Sequence, residues 1–350
     1  MDYLKSFTAS ADTLTDCARR NVLAAVPVAF LAFVGIVWIT FQVIVFVRVL
    51  AECYLLPGIP LDSFGAKKNL PGNGAWAVVT GATDGIGREF ALQLAKAGFN
   101  IFLASRSAEK LGKVAAEIEL AVPGVKTKTE AIDFSSGDDR QYDALLSGLS
   151  GLTIGVLVNN VGKSHQLPVT FNETDPEEIR QIIEINVTAT LRVTKMIVPR
   201  MIEQKRGLII NMGSFAGQTP TPLLATYSGS KSFLIGWSQA LGEELKRHRI
   251  TVQLLNTYFV VSNMSRVRKS SAMIPTPKRY VAQALKTIGN AGGAVGRPYT
   301  GTPWPMHALL DWVLERVVPS KAMILSYSHE QQQSVRKRAL RKVEKAQKGQ

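Results

Sequence analysis

Thr80-Gly81-Ala82-Thr83-Asp84-Gly85-Ile86-Gly87 is the stretch of sequence that decides the fold of this chain. It follows a short apolar run, Ala75–Thr80, and passes into Ile86–Ala97, where apolar residues recur with helical periodicity. Glycines let a turn approach a diphosphate closely, and the free N–H groups at a helix N-terminus stabilise such an anion. Because the turn lies between a strand and a helix, it predicts a nucleotide-binding unit.

Strands and helices alternate along the rest of this part of the chain. Such alternation predicts parallel strands joined by right-handed crossovers, which is an α/β fold with a Rossmann-type doubly wound parallel sheet. The further predicted strands are Asn100–Ala104, Lys128–Ile132, Ile154–Val158, Gly207–Met212 and Thr251–Asn256, and the further predicted helices are Ala108–Ala121, Pro176–Gln204 and Ala225–Lys246.

The residue after the second strand indicates which dinucleotide the fold takes. In Rossmann folds an acidic side chain at this position accepts a hydrogen bond from the adenosine 2′-OH. Here the position holds Arg106, and a planar guanidinium suits a 2′-phosphate, which favours NADP(H) over NAD(H). A solvated surface arginine is the alternative interpretation. Asp133, after the third strand, is a candidate for the adenine edge, and Asn160-Val161-Gly162, after the fourth, lie where the cofactor should pass.

Four polar residues form a candidate catalytic set. Tyr227 and Lys231 are four positions apart on a predicted helix and share one face. An ammonium group favours phenolate, so we expect the Tyr227 pKa to be lowered from about 10, which suits a general acid for carbonyl reduction. Ser214, beyond the fifth strand, is placed to hold a carbonyl oxygen. Asn186, inside a helix, is a candidate for ordering a water that resupplies protons through Lys231.

Each of these residues also has an ordinary interpretation. Tyr227 and Lys231 fit a surface pair, Ser214 fits a turn or cap, and Asn186 fits the satisfaction of a backbone group. Their order after a dinucleotide turn favours catalysis over a chance arrangement.

Together these motifs resemble the short-chain dehydrogenase/reductase family over residues 75–263. The resemblance is carried by Gly81–Gly87, Asn159–Gly162, Asn186, Ser214, Tyr227 and Lys231. Longer stretches are similar to a microsomal fungal group of that family, whose substrates are very-long-chain 3-oxoacyl-CoA thioesters and whose relatives are 17-beta-hydroxysteroid dehydrogenases. These stretches are Asn159–His165, Met212–Phe215 and Thr219–Lys231, preceded by an apolar N-terminal segment.

The resemblance implies an activity and a set of partners. The activity is the NADPH-dependent reductive step of microsomal fatty-acid elongation, which also supports the supply of sphingolipid precursors. The implied partners are a long-chain 3-oxoacyl-CoA, membrane lipid and other enzymes of the elongation complex. By the same resemblance Tyr227 is the acid, Lys231 tunes it, Ser214 positions the carbonyl and Asn186 completes the relay, with Tyr227 and Lys231 also touching the cofactor. A 17-beta-ketosteroid reductase and a non-catalytic elongase scaffold are the alternatives.

Two positions depart from the family pattern. Many members have Pro-Gly after the sixth strand, where this chain has Tyr258–Asn263; Val261 and Ser262 are the expected cofactor contacts there. Many NADPH-preferring members have a basic residue before the second glycine of the turn. This chain has Asp84, so recognition of the 2′-phosphate is expected to rest on Arg106. The complete set expected to bind the cofactor is Gly81, Thr83, Asp84, Gly85, Ile86, Gly87, Arg106, Asp133, Asn160, Val161, Gly162, Tyr227, Lys231, Val261 and Ser262. A separate group of apolar residues after Ser262 is a candidate lid over the substrate: Met264, Val267 and Met273.

The N-terminal part predicts a membrane anchor. Val22–Val47 is almost entirely apolar and lies between Arg19-Arg20 and Arg48, and as a helix it exceeds a hydrocarbon core of about 30 Å. We expect a retained anchor rather than a cleaved signal peptide, with a buried helix of a soluble protein as the alternative. The expected organisation is an N-terminal segment (1–21), an anchor (22–50), a Gly- and Pro-rich linker (51–72), the Rossmann domain (73–300) and an amphipathic, basic C-terminal tail (301–350).

The basic residues on the two sides of the anchor are nearly equal in number, so they do not decide its orientation. Glycosylation motifs give a separate indication. Sequons at Asn172, Asn186 and Asn263 would be glycosylated in a lumenal domain, and Asn186 is a candidate site residue. We therefore expect an endoplasmic reticulum membrane protein whose catalytic domain faces the cytosol. Cys17 and Cys53 would then lie on opposite sides of the membrane, where they cannot form a disulfide.

The charge distribution bears on the partners. The 41 basic and 27 acidic residues give a net charge of +14. Ser334–Gln350 holds seven basic residues and one acidic residue, a net +6, which favours either contact with anionic lipid or a solvated tail. Residues 303–328 favour an interfacial or substrate-covering helix, with core packing as the alternative. With neither a zinc-ligand spacing nor a nucleic-acid-binding motif, we expect no metal and no nucleic acid.

Overall fold

The computed structural model describes the backbone of residues 2–348 and the side chains of residues 25–341. Some residues discussed above lie outside the described side chains: Cys17, Arg19, Arg20, Lys342, Lys345 and Lys348. The chain forms two compact units, Met1–Arg48 and Val49–Gln350. Within helix α1 (Asp2–Tyr54), the stretch Ala25–Tyr54 is long and apolar enough to cross a membrane, by length and composition. Its side chains are mostly exposed, unlike those of a core helix.

The second unit is built on a parallel sheet of seven strands in the order β3-β2-β1-β4-β5-β6-β7. This confirms the predicted Rossmann-type fold. The strands are β1 (Trp76–Thr80), β2 (Asn100–Ser105), β3 (Thr127–Ala131), β4 (Ile154–Asn159), β5 (Gly207–Met212), β6 (Ile250–Leu255) and β7 (Thr300–Gly301). The helices are α2 (Gly85–Ala97), α3 (Ala108–Ala121), α4 (Asp139–Gly148), α5 (Pro176–Ile183), α6 (Ala189–Gln204), α7 (Phe215–Gln218), α8 (Ala225–Lys246), α9 (Pro277–Lys286), α10 (Pro305–Arg316) and α11 (Lys321–Lys348).

Helices cover both faces of the sheet, so its central strands are apolar on both sides. Successive strand residues point to opposite faces. Val79 and Leu103 pack with α2, α3 and α9 on one face, whereas Val78 and Phe102 pack with α4, α6 and α8 on the other. Burial of both faces therefore explains why the central strands appear in the sequence as continuous apolar runs, whereas the edge strand β3, with the sequence TKTEA, does not.

Five features depart from the prediction made for the Rossmann domain. Helices α4, α7 and α9 and the two-residue strand β7 were not predicted, and the helix predicted over Pro176–Gln204 contains a π-helical turn, Glu184–Thr188. The chain continues from α5 through this turn into α6. The turn inserts a residue into the helical hydrogen-bond pattern, which periodicity alone does not reveal.

Of the linker predicted over residues 51–72, residues 51–54 form the end of α1, and the segment that follows hydrogen-bonds to the sheet domain. Gly58 N donates to Lys286 O at 2.9 Å and Ile59 N donates to Ile288 O at 2.7 Å. The end of α1 does the same, because the Glu52 carboxylate accepts from Gly292 N at 2.7 Å. This segment is therefore tied to the loops that border α9.

Helix α10 packs into the domain through a buried carboxylate. Asp311 is fully buried, and it accepts hydrogen bonds from Arg297, Thr302 and Gln218. Gln218 also accepts from Asn256 at the end of β6. Of the two interpretations of residues 303–328, core packing thus holds for α10. Helix α11 is mostly exposed over its described side chains, and Arg336 forms an ion pair of 2.8 Å with Glu173.

Candidate active site

The candidate site lies at the carboxyl ends of β1, β4 and β5. From β1 the chain proceeds to β2 and β3 on one side and returns to β4 on the other. Loops that leave neighbouring strands in opposite directions open a crevice, which is where open α/β sheets bind ligands. The predicted nucleotide turn follows β1 and borders this crevice.

Two polar side chains hold the crevice together. Thr80 Oγ1, at the end of β1, accepts from Asn160 N at 3.0 Å and from Val161 N at 3.1 Å. In return, Asn160 Nδ2 donates to Thr80 O at 3.0 Å and to Gly81 O at 3.1 Å. These four bonds fix the loop after β4 against the turn after β1.

The glycines of the turn are required by its geometry. Gly81 and Gly85 have φ values of 65° and 54°, in the left-handed region that favours glycine. A Cβ atom on Gly87 would lie 2.3 Å from Gly81 O and 2.4 Å from Asn160 Nδ2. The first turn of α2 therefore packs directly on the backbone of the preceding turn, and a helix N-terminus at this place is where a diphosphate is bound in such folds.

The predicted adenosine end is arranged around β2. Thr83 Oγ1 lies 3.0 Å from Ser105 Oγ, which joins the turn to the end of β2. Arg106 is exposed, and among the described residues its guanidinium has no hydrogen bond or ion pair, so it is available to an anion. The Asp133 carboxylate accepts from Ser135 N at 3.0 Å and from Ser135 Oγ at 2.8 Å, which orients it at the end of β3.

Ser214 and Tyr227 come together at the end of β5. Ser214 is the N-cap of α7, where its Oγ accepts from Ala216 N at 3.2 Å. The Tyr227 hydroxyl hydrogen-bonds to the Ser214 side chain. Burial raises the pKa of Tyr227, while the hydrogen bond to Ser214 acts in the opposite direction.

Lys231 lies one turn further along α8. Its Nζ donates to Met212 O at 2.8 Å and lies 5.9 Å from the centre of the Tyr227 ring. A Cβ atom on Gly162 would be 3.7 Å from that Nζ, so the loop after β4 also borders the ammonium group. Burial lowers the pKa of Lys231 to about 8, because the charged form loses hydration.

The expectation that Lys231 lowers the Tyr227 pKa is wrong for this structure. The pKa of Tyr227 is raised, because desolvation of the phenolate outweighs the hydrogen bond from Ser214. The ammonium group is directed to Met212 O rather than to the phenol oxygen. A raised pKa keeps Tyr227 protonated at neutral pH, which is the form that a proton donor needs.

Asn186 is fully buried in the π-helical turn. Its Oδ1 accepts from Lys163 N at 2.7 Å, and its Nδ2 donates to Lys163 O at 2.9 Å. The same Nδ2 donates to Ser230 Oγ at 2.9 Å. Asn186 therefore links α5–α6 to the loop after β4 and to α8, and its backbone carbonyl accepts from Thr190 Oγ1 at 3.1 Å.

Ser230 is a site residue that sequence reasoning missed. Its Oγ accepts from Asn186 Nδ2 and donates to Tyr227 O at 2.7 Å. Because Ser230 lies between Tyr227 and Lys231 in sequence and is 2% exposed, it connects the buried asparagine to the helix turn that carries both. Its position directly before Lys231 was the available signal.

The loop after β6 closes the crevice on the other side. Asn263 Nδ2 donates to Asp84 Oδ2 at 2.7 Å, and a Cβ atom on Gly85 would be 3.6 Å from Ser262 Cβ. The structure thus brings Ser262 to the nucleotide turn and engages Asp84 with the loop. Val261 N donates to Pro275 O at 3.0 Å. Of the predicted lid residues, Met264 is exposed, while Val267 pairs with Ser262 in an isolated antiparallel bridge.

The crevice, its glycine cradle and the Ser214–Tyr227–Lys231 arrangement define a nucleotide-dependent oxidoreductase. The sequence profile of the short chain dehydrogenase family matches residues 75–272, and the chain belongs to this family.

Individual proteins agree with this assignment. The very-long-chain 3-oxoacyl-CoA reductase of Mycosarcoma maydis is 65% identical over 300 residues, which cover 86% of this chain and 85% of that protein. The protein of the same name from Laccaria bicolor is 52% identical over 91% of this chain and 92% of its own length. Among solved structures, the short-chain dehydrogenase of Sphingobium yanoikuyae in complex with NADPH is 25% identical, with a TM-score of 0.58 over 69% of this chain and 91% of that chain.

Replacing Gly87 with alanine tests the cradle. The added Cβ would meet the Gly81 carbonyl at 2.3 Å, so the turn has to shift, and we expect a loss of about 1–3 kcal/mol of stability with weaker NADPH binding. Gly112→Ala, on the exposed face of α3 with no atom within 4 Å of the added Cβ, is the matched control and should gain about 0.5–1 kcal/mol. Thermal unfolding and NADPH titration measure both, and equal melting temperatures for the two variants would contradict the close packing.

The pH dependence of turnover tests the Lys231 environment. We expect kcat/KM for ketone reduction to fall above about pH 8, where the buried ammonium group loses its proton. The folded pKa lies below the ordinary value of 10.5. The unfolded chain therefore binds more protons between about pH 8 and 10.5, and the contribution of Lys231 to stability rises across that window. Steady-state rates from about pH 6 to 10 check this; a profile that stays flat throughout would show that the Lys231 charge is not needed.

Proposed function

We propose that the protein reduces very-long-chain 3-oxoacyl-CoA to 3-hydroxyacyl-CoA with NADPH. The observation that carries this proposal is the hydrogen-bonded Ser214–Tyr227 pair, which lies at the carboxyl end of the sheet beside the glycine cradle. The choice of substrate is supported by the two fungal relatives, which have this name and match most of both chains.

The residues of the crevice fit a bound NADPH. Gly81, Gly85 and Gly87 allow the tight turn at the N-terminus of α2, where the diphosphate would lie, and Arg106, whose guanidinium is unpaired among the described residues, is available for the 2′-phosphate. When bound, NADPH supplies a hydride for the keto carbon. Asn160, Val161 and Gly162 would flank it from the loop after β4, and Val261 and Ser262 from the loop after β6.

Tyr227 and Ser214 act on the substrate ketone. Ser214 Oγ donates a hydrogen bond to the keto oxygen and so stabilises the negative charge that develops there. Tyr227 donates its phenolic proton to the same oxygen, which becomes the hydroxyl of the product. The raised Tyr227 pKa makes its phenolate unstable in the folded site, so the proton has to be replaced at once.

Lys231 and Asn186 serve this replacement. The Lys231 ammonium has a pKa lowered to about 8, which makes it a better proton donor than an exposed lysine. Asn186 positions the loop after β4 and, through Ser230, the helix turn of Tyr227. We assign Asn186 a positioning role at the inner end of a proton path that passes Lys231.

The surroundings of the site suit an apolar substrate. Tyr258 and Phe259 are in edge contact, with ring centres 4.7 Å apart, and Tyr258 also contacts Phe215 beside Ser214. Phe259 and Met264 remain exposed at 42% and 55%. Such side chains provide a surface for an acyl chain that is transferred from lipid.

We place the protein in the endoplasmic reticulum membrane with the catalytic domain in the cytosol, where other elongation enzymes are its partners. The apolar stretch Ala25–Tyr54 supports an anchor. Asn186 is fully buried and hydrogen-bonded, so a glycan on its sequon is incompatible with the folded site. Asn172 and Asn263 are exposed and would be accessible to glycosylation in a lumenal domain.

Tyr227→Phe tests the activity. We expect a loss of about 10²–10⁴-fold in kcat with a long-chain 3-oxoacyl-CoA, because the proton donor is removed, while NADPH binding persists. Tyr142→Phe is the matched control, since the Tyr142 hydroxyl is buried and has no hydrogen-bond partner among the described residues; it should keep full activity. NADPH oxidation by the solubilised full chain measures both variants. Full activity of Tyr227→Phe would refute the proposed acid, and a wild-type preference for a 17-ketosteroid would refute the proposed substrate.

Glycosylation tests the orientation. We expect the full chain to resist alkaline extraction from microsomes and to show no change in mobility after endoglycosidase treatment. Asn172→Gln, which removes an exposed sequon, should migrate with the wild type. A glycan on Asn172 or Asn263 would place the domain in the lumen.

A further inference from the structure

A groove of about 970 Å³ lies against the nucleotide turn. One wall is the turn itself, residues 83–85, with the start of α2. The opposite wall comes from the loop after β6, residues 261–268, and from the first turn of α9. The groove is therefore an extension of the cofactor crevice towards the outer surface of the domain.

The opposite wall is basic. The groove is lined by four basic and two acidic side chains. Arg88 is already engaged, because it hydrogen-bonds to Glu117 at 3.0 Å and lies 3.9 Å from Glu89. Asp84 accepts from Asn263.

The remaining three cations are Arg266, Arg268 and Lys278, which we name the basic wall. All three are exposed, and within residues 25–341 none of their side chains has a hydrogen bond or an ion pair. Three like charges on one groove repel one another, and an anion that bridges them removes this repulsion.

We propose that the basic wall binds phosphate groups of a nucleotide diphosphate. Guanidinium groups match phosphate in geometry and charge, and two of the three cations are arginines. Two ligands of the reaction carry such groups: the cofactor, and the CoA portion of the substrate, with its diphosphate and 3′-phosphate. This inference rests on the proposed function, because only that function brings CoA to the site.

CoA is the expected source. The cofactor phosphates have other partners in the crevice, namely the N-terminus of α2 and Arg106, whereas the CoA phosphates have none assigned. The same loop presents exposed apolar side chains, Phe259 and Met264, a few residues before Arg266 and Arg268. A surface that is apolar at one end and cationic at the other is complementary to an acyl-CoA, which has an apolar chain and a phosphorylated nucleotide.

The test is the double variant Arg266→Gln/Arg268→Gln in the full-length, detergent-solubilised protein. Glutamine keeps a Cβ and a polar side chain, so the positive φ of Arg266 is not made worse. Lys269→Gln is the matched control, because Lys269 is exposed and adjacent in sequence but does not line the groove. For each protein, KM is measured for a 3-oxoacyl-CoA and for the corresponding N-acetylcysteamine thioester, which has no phosphates, and Kd is measured for NADPH and for adenosine 3′,5′-bisphosphate.

We expect the double variant to raise the KM for the acyl-CoA about tenfold or more, because it removes hydrogen bonds to charged groups. Its KM for the truncated thioester and its Kd for NADPH should stay unchanged, and added salt should reduce the difference from the wild type. An increase in the NADPH Kd, with equal effects on both thioesters, would support a phosphate site whose source is the cofactor. No change in any of these constants would overturn the proposal.

The two proposals can fail separately. If the wild type does not reduce the acyl-CoA but the double variant still weakens binding of adenosine 3′,5′-bisphosphate, the proposed substrate is wrong and the phosphate site stands. If the wild type reduces the acyl-CoA and the double variant matches Lys269→Gln throughout, the function stands and the basic wall has no phosphate ligand.

Discussion

The contact between Thr80 and Asn160 is the constraint on which the rest of the site depends. Four hydrogen bonds join the ends of β1 and β4 at the point where the sheet order reverses. They hold the glycine turn on one side and the loop to Lys163 on the other. Asn186 hydrogen-bonds to that loop at Lys163 and to Ser230, and Ser230 in turn hydrogen-bonds to the backbone carbonyl of Tyr227. Cofactor cradle and proton donor are therefore parts of one hydrogen-bonded frame.

The same frame explains the electrostatics of the site. Packing that positions Tyr227 and Lys231 also removes water from them, and desolvation disfavours the charged form of each group. It raises the pKa of the phenol and lowers that of the ammonium to about 8, so the two values, which are close to each other for free side chains, move apart. The Lys231 ammonium is then the stronger acid of the two, so proton transfer from it to a Tyr227 phenolate is favourable, whereas the same pair on an exposed helix would differ little from free side chains.

The sequence predicts the architecture well because local signals agree with one another. Apolar runs, glycines and the i,i+4 pair place β1, the turn and α8 close to their observed bounds, and the fold was confirmed. Sequence periodicity did not reveal the π-helical turn at Asn186, because α5 has only eight residues, too few for the phase shift of one inserted residue to be seen in the apolar pattern. The two-residue strand β7 is too short to show a pattern. The sign of the Tyr227 pKa shift depends on burial and on the direction of Lys231 Nζ, which only the folded structure provides.

The hydrogen bonds of residues 52–59 determine how far the chain can be truncated from its N-terminus. Glu52, Gly58 and Ile59 bond to the loops that border α9, and the first of these residues still belongs to the apolar stretch that ends at Tyr54. A truncation at residue 73, where the Rossmann pattern begins, would remove partners from Gly292, Lys286 and Ile288. Deleting the apolar stretch up to Tyr54 would make the protein more soluble but would also remove the hydrogen bonds of Glu52. A water-soluble version therefore needs polar substitutions on the exposed side of this helical turn rather than its deletion.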